Sequence, residues 1–364
     1  MMNAPTHARR RALCLAIAAL ALSISAISHA QSFPPAWKST SAYAIGDLTQ
    51  SGGNWYRAIK AVTGGAGPAN DYTDWELNYV RGNTTLMIGT SQTFPTLGNA
   101  WTYAINARVA DGAYLHFYIS SAHGKYSQSL SAPFLLDHAS GPRIAILADN
   151  VANVSFIFDS TNGFILDTGH SLNTLSGIGI YNLNVNNAND GLKIDQQSTV
   201  SSVTGCLISG FFNAVHVTQE SSVTLTSTSQ LFYFQGSACY SETCSSIILG
   251  PSFLINGNNL GSNIALNADL GGVIQAGNGM TIAGCSVGIQ SNSEALVTAP
   301  GVTVESPTYF GVSAGDRGFV LVAFGSFSGS GIYDLTASQG AFIDAAGSTF
   351  TTQHADSFGS YIFS

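Results

Sequence analysis

One feature of the sequence constrains the fold above all others: a short β-like segment that recurs through its second half. A small residue opens each copy and apolar residues alternate behind it. The series reads Gly163-Phe164-Ile165-Leu166-Asp167, Gly191-Leu192-Lys193-Ile194-Asp195, Ala214-Val215-His216-Val217-Thr218, Asn263-Ile264-Ala265-Leu266-Asn267, Gly288-Ile289-Gln290-Ser291-Asn292, Gly311-Val312-Ser313-Ala314-Gly315 and Gly331-Ile332-Tyr333-Asp334-Leu335. Ala238-Cys239-Tyr240-Ser241-Glu242 is a weaker member. Self-similarity every ~20–28 residues marks a solenoid, whose units bury their apolar faces against their neighbours. The unit is too short and too rich in β-formers for paired helices. The expectation is an all-β chain wound as a parallel β-helix. Further strands at similar offsets, such as Val223–Thr226, Ile247–Leu249, Leu296–Thr298 and Phe342–Asp344, would build another sheet of the same winding.

Residues 1–30 read as an export signal peptide. Arg9, Arg10 and Arg11 precede the apolar run Leu13–Ile27, and Ser28-His29-Ala30 offers small residues at the cleavage positions. The run is too short to span a bilayer comfortably, so the expected product is a secreted protein with no membrane span after processing. Three of the 12 Lys+Arg lie in this leader, against none of the 20 Asp+Glu. Beyond Arg143 the only bases are Lys193 and Arg317. A phosphate backbone needs clustered cations, so nucleic acid is excluded as a partner, and strongly anionic polysaccharides are disfavoured. Cys239 and Cys244, close in sequence and bound for an oxidising compartment, are the expected disulfide. Cys206 and Cys285 lie about three coils apart, ~14 Å at the spacing of strands, beyond disulfide reach. No histidine pair stands near the cysteines at ligand spacing, and neither a metal nor a cofactor is expected.

Three regions follow the leader. Residues 34–80 hold Trp37, Tyr43, Trp55, Tyr56, Tyr72, Trp75 and Tyr79, with Gly46-Asp47 and Gly52-Gly53 between apolar runs, which predicts a small separate hairpin module. Residues 81–95 read as a link. In residues 96–108, Leu97, Trp101 and Ile105 are four apart, as on a helix face. Such a helix would cap the open end of a β-helix domain over 96–364.

By period and pattern, the solenoid resembles the right-handed parallel β-helix proteins of the pectate-lyase-like class, which include polysaccharide lyases, polygalacturonases and phage tailspikes, and the resemblance implies a right-handed winding. Ala36-Trp37, Tyr43, Gly46-Asp47, Gly53, Tyr56-Arg57-Ala58, Pro68 and Trp75 resemble the type-3 chitin-binding modules of carbohydrate-binding families 5 and 12. The resemblance implies a polysaccharide or surface glycan as partner, with Trp37, Tyr56 and Trp75 in the module's core. By strand alternation Trp55 faces out if Tyr56 faces in, and Trp55 and Tyr72 are the candidates for stacking on a sugar. Homo-oligomers are common among tailspikes.

Side chains alternate across a strand. With Phe164, Leu192, Val215, Ile264 and Ile289 pointing inward, the outward positions gather Asp167, Lys193, Asp195, His216, Tyr240 and Glu242 over four coils. One reading is glycoside hydrolysis. Neighbouring coils put Asp167 and Asp195 at ~4.8 Å, close to the ≈ 5–5.5 Å that retaining enzymes use. The other reading is a solvated face that keeps an apolar solenoid in solution, as on a non-enzymatic adhesin or tail-fibre-like protein. The polygalacturonase pattern of adjacent aspartates with a Gly-His-Gly segment is not in the chain.

Overall fold

A computed structural model describes residues 33–364 apart from 185–187, 260, 353 and 357–358. The expected signal peptide lies outside the described residues. Three long parallel sheets dominate, of 10, 12 and 9 strands. The first runs from Phe134–Leu135 to His354–Asp356, the second from Thr84–Ile88 to Tyr361–Phe363, and the third from Tyr126–Leu130 to Ser326–Ser328. Each coil gives one strand to each sheet, so the nine strands of the third correspond to about nine turns. The chain is thus a parallel β-solenoid, as the repeat predicts.

The core is a stack of rows. Leu192, Val215, Cys239, Leu266, Ile289, Val312 and Leu335 are register partners on successive strands of the first sheet, and all are buried. Where glycine stands before a row member, the cause is steric. A Cβ on Gly163 would stand 2.1 Å from the Gly191 carbonyl oxygen of the next rung, and one on Gly191 would stand 2.5 Å from Ile208. This register corrects two repeats. Leu266, not Ile264, takes the core slot, and Ile264 is half-buried on the outer side. Ile332 is 48% exposed, and Asp334-Leu335 completes the row.

Helix Leu97–Ala104 is N-capped by the Thr96 side chain, which accepts from the Asn99 N–H. It ends four residues before the expected boundary, and Arg108–Val109 is a short strand. Its buried face closes the solenoid core: Trp101 packs on Phe117 at 5.0 Å and Phe134 at 5.8 Å between ring centres. Residues 37–80 are joined to this cap. Strands Leu48–Ser51, Asn54–Ala58, Trp75–Val80 and Arg108–Val109 form one four-stranded sheet. The Tyr103 hydroxyl on the helix donates to the Pro68 carbonyl at 2.8 Å. The expected link contains Thr84–Ile88, the N-terminal edge strand of the second sheet.

The four described cysteines are free thiols. Cys239 points into the core between Val215 and Leu266, whereas Cys244 is exposed in the turn beyond the strand, so the expected Cys239–Cys244 bridge does not form. Burial pushes the Cys206 thiol up to about 12. Among the described residues no helix is long and apolar enough to cross a membrane.

Candidate functional site

The outward face of the first sheet carries a column of acids set by the register. Asp195 N–H donates to the Leu166 carbonyl, Glu242 N–H to Val217 and Asp269 N–H to Ser241, which places these residues at the same level as Asp167 on their own rungs. Asp137 extends the column backward: the Asp167 N–H donates to its Oδ1 at 3.1 Å. Phe134-Leu135-Leu136-Asp137 has the form of Phe164-Ile165-Leu166-Asp167. It escapes the sequence reading because Pro133, not a glycine or alanine, opens it. Asp137 Oδ1 also lies 3.8 Å from His170 Nδ1. Burial, then the charge of Asp167, holds the Asp137 carboxyl above the usual carboxylate range against the pull of the Asp167 N–H and of His170.

Lys193 Nζ stands 3.3 Å from Asp195 Oδ2. One rung on, His216 is gripped from both sides. Its Nδ1 lies 2.9 Å from Asp190 Oδ2 and its Nε2 lies 3.0 Å from Glu242 Oε1. The second oxygen of each carboxylate is also held: Asn213 Nδ2 donates to Asp190 Oδ1 at 2.9 Å, and the Tyr240 hydroxyl donates to Glu242 Oε2 at 2.9 Å. The Tyr240 ring stacks on the His216 imidazole at 4.8 Å and 16°. Burial works against the imidazolium, but the hydrogen bonds and charges of Asp190 and Glu242 outweigh it, and the His216 pKa lies above its ordinary value. Burial first, then Glu242 and Asp269, pushes the Tyr240 phenol up.

The five sequence candidates Asp167, Lys193, Asp195, His216 and Glu242 therefore share one sheet face. Asp190 and Asn213 join them unforeseen. Asp190, Gly191 and Leu192 are buried in succession, so alternation breaks at the small residue and counting by twos cannot place Asp190.

Beside the column, a depression of about 530 Å³ runs along the turns, lined by Thr168, Gly169, Gln196, Gln197, Gln219, Glu220 and Thr243. Gln196, Gln197, Gln219 and Glu220 all adopt left-handed backbone. That conformation costs a non-glycine residue roughly 1–2 kcal/mol. The turn ladder offsets part of this cost, since Gln197 N–H donates to Gln219 and Glu220 N–H to Thr243 on the next rung. The lining is amide, hydroxyl and carboxylate, the groups that pair with sugar hydroxyls. Among the described residues no group of three or more His, Cys, Asp or Glu is arranged to hold a metal ion.

The aromatic candidates of the front segment separate. Trp75 and Tyr56 are buried, and Tyr43 meets Trp75 edge-on at 5.0 Å. Trp37 is half-buried and lies 3.7 Å from the position of a Cβ on Gly67. Trp55 is half-buried against Tyr79 at 4.9 Å, and Tyr72 packs on Phe94 at 5.1 Å. Trp55 and Tyr72 thus pair with different neighbours, and Tyr79 is the ring beside Trp55. Comparison with family models, curated proteins and solved structures returns no match.

Proposed function

We propose that this is an exported glycan-binding β-solenoid that holds a neutral or chitin-like chain in the turn depression and cleaves it with the adjacent carboxylates. One observation carries the reading: Asp137, Asp167 and Asp195 stand on three successive rungs, and Asp137 is held above the usual carboxylate range. Carboxyls on neighbouring rungs are ~4.8 Å apart, near the retaining separation of ≈ 5–5.5 Å. A carboxyl held above the usual range, beside a second carboxyl, is suited to the acid's role. Asp137 would protonate the leaving oxygen, and Asp167 would attack the anomeric carbon or activate water. Lys193 pairs with Asp195, and the His216 clamp fixes Glu242 at the far end.

Reducing-end release from chitohexaose and from neutral polysaccharides tests this. Asp167→Asn should lower the rate by ~10²–10⁴-fold, the scale of a lost acid or base, with the melting curve unchanged. No cleavage by the wild type, together with no retention on any glycan, would refute the proposal. Retention without cleavage would favour the second reading, a non-enzymatic adhesin. That reading draws support from the internal satisfaction of His216, Glu242 and Asp190.

A further inference from the structure

The third sheet carries a separate depression, of about 520 Å³, on the early coils. Tyr181 lies within it, outward on strand Gly179–Asn182 and opposite Ile157 of the preceding rung. Its ring leans back along its own strand. A Cβ on Gly179 would stand 2.5 Å from the Tyr181 Cε2 and 2.8 Å from its hydroxyl oxygen. Gly179 is not among the glycines with positive φ. The backbone therefore does not demand glycine at 179; the ring does. Gly179 is buried, although its partner Ser155 is half-buried on the outer surface. One face of the phenol thus covers the strand, and the other is turned to the depression.

The remaining lining suits one kind of ligand. Ser127, Ser155 and Asn153 supply hydroxyl and amide groups, and Ile157 extends the apolar floor. Lys125 is exposed and is the only charged side chain in the lining. Among the described residues neither its ammonium nor the Tyr181 hydroxyl has a hydrogen-bond or ion-pair partner. A flat ring face takes the C–H face of a pyranose, the hydroxyl and amide groups pair with its hydroxyls, and a lone cation in an acidic protein selects a carboxylate.

We propose that this depression is a second glycan site, for a single carboxylate-bearing pyranose residue stacked on Tyr181 with its carboxylate at Lys125. It lies on a different sheet from the acidic column and is independent of cleavage there. A uronic acid unit within a mixed glycan has this chemistry. Binding here would hold such a glycan to the solenoid whether or not the first sheet cuts it.

Calorimetric titration with trigalacturonate and with neutral galactotriose tests the site. The acid should bind the wild type several-fold more tightly than the neutral sugar. Tyr181→Ala should weaken it by about tenfold, the equivalent of ~1.4 kcal/mol. Gly179→Ala should do the same, because the added methyl displaces the ring while the phenol stays in the chain. Lys125→Ala should bring the acid down to the affinity of the neutral sugar. All three variants should keep wild-type reducing-end release on chitohexaose, which separates this site from the acidic face. Equal affinity for the two sugars, or unchanged affinity in folded Tyr181→Ala and Gly179→Ala proteins, would overturn the proposal. Should either variant fail to fold, ring resonances of ¹³C-labelled tyrosine in the wild type decide. With the Tyr181 signal assigned through Tyr181→Phe, a shift on adding trigalacturonate supports the site, and no shift overturns it.

Discussion

At the residue scale, His216 is the most constrained group of the face, an imidazole held between the Asp190 and Glu242 carboxylates. Lys193, His216, Tyr240 and Glu242 follow two-residue alternation, and their outward placement could be read from Leu192, Val215 and Cys239 alone. Asp190 could not, because alternation stops at Gly191. Its omission hides the most organised feature of the face, an imidazole between two carboxylates. Since the His216 pKa is raised, its contribution to stability is fully present below the unfolded value of about 6.5 and is lost as pH rises through the folded one. Melting temperatures across pH 5–9 should therefore fall toward the alkaline side in the wild type, and less so in His216→Gln. A parallel slope in both proteins would show that the clamp carries no charge. A second residue-scale prediction concerns thiols. Cys244 is exposed, whereas Cys206, Cys239 and Cys285 are buried. A thiol reagent should modify Cys244 alone in the native mature protein and the other three only on unfolding, since accessible thiolate is what reacts. Absence of any fast-reacting thiol in wild type, with no change in Cys244→Ser, would contradict this arrangement.

At the scale of elements, the repeat was readable wherever a small residue opened the strand, and it failed where something else stood there. Asn263 and Gly331 look like openers, yet the register aligns Ala265 and Asp334 with the glycine and alanine row. Asp334 is the instructive case, a fully buried carboxylate in a row otherwise held by glycine and alanine. Its Oδ1 accepts from Ser330 Oγ at 2.5 Å, and its Oδ2 accepts the N–H groups of Thr351 and Thr352 at 2.7 and 2.6 Å. Burial disfavours its charge, but these donors outweigh burial and hold its pKa below the ordinary value. The stability it contributes is present above the unfolded value of about 3.9 and is lost as pH falls through the folded one. The aspartate thus anchors the segment after Asp344 to the coil before it. Asp334→Ala should take the acceptor from the Thr351 and Thr352 N–H groups, a loss of roughly 1 kcal/mol for each part-buried hydrogen bond. Hydrogen exchange in residues 345–364 should accelerate strongly, with the coils before Val287 unchanged. Uniform acceleration along the chain would mean that Asp334 serves global folding rather than the last coils.

At the scale of the molecule, the solenoid was legible because one unit repeats, and the join between front segment and cap was not, because it depends on contacts between unlike elements. No periodicity signals that Tyr103 reaches Pro68, that Tyr56 and Tyr103 rings lie 6.4 Å apart, or that Asn54 Nδ2 donates to Thr84 Oγ1 at 2.9 Å. These contacts make residues 37–80 part of the cover of the first coils. In a stack where each coil touches only its neighbours, losing the cover destabilises the end it protects most. Removing residues 34–80 should bare Val80's partner Val109 and the outer side of Leu97–Ala104. All four tryptophans lie in residues 37–101, so in the shortened chain Trp101 alone reports on the cap. Its emission should shift to the red and its urea transition should move to lower denaturant than in the full chain. Far-UV circular dichroism, dominated by the coils beyond, should follow at higher denaturant. If the front segment were a free-standing module, Trp101 would keep its buried emission and the two transitions of the shortened chain would coincide. That result would return residues 34–80 to the independent role their aromatic pattern suggests.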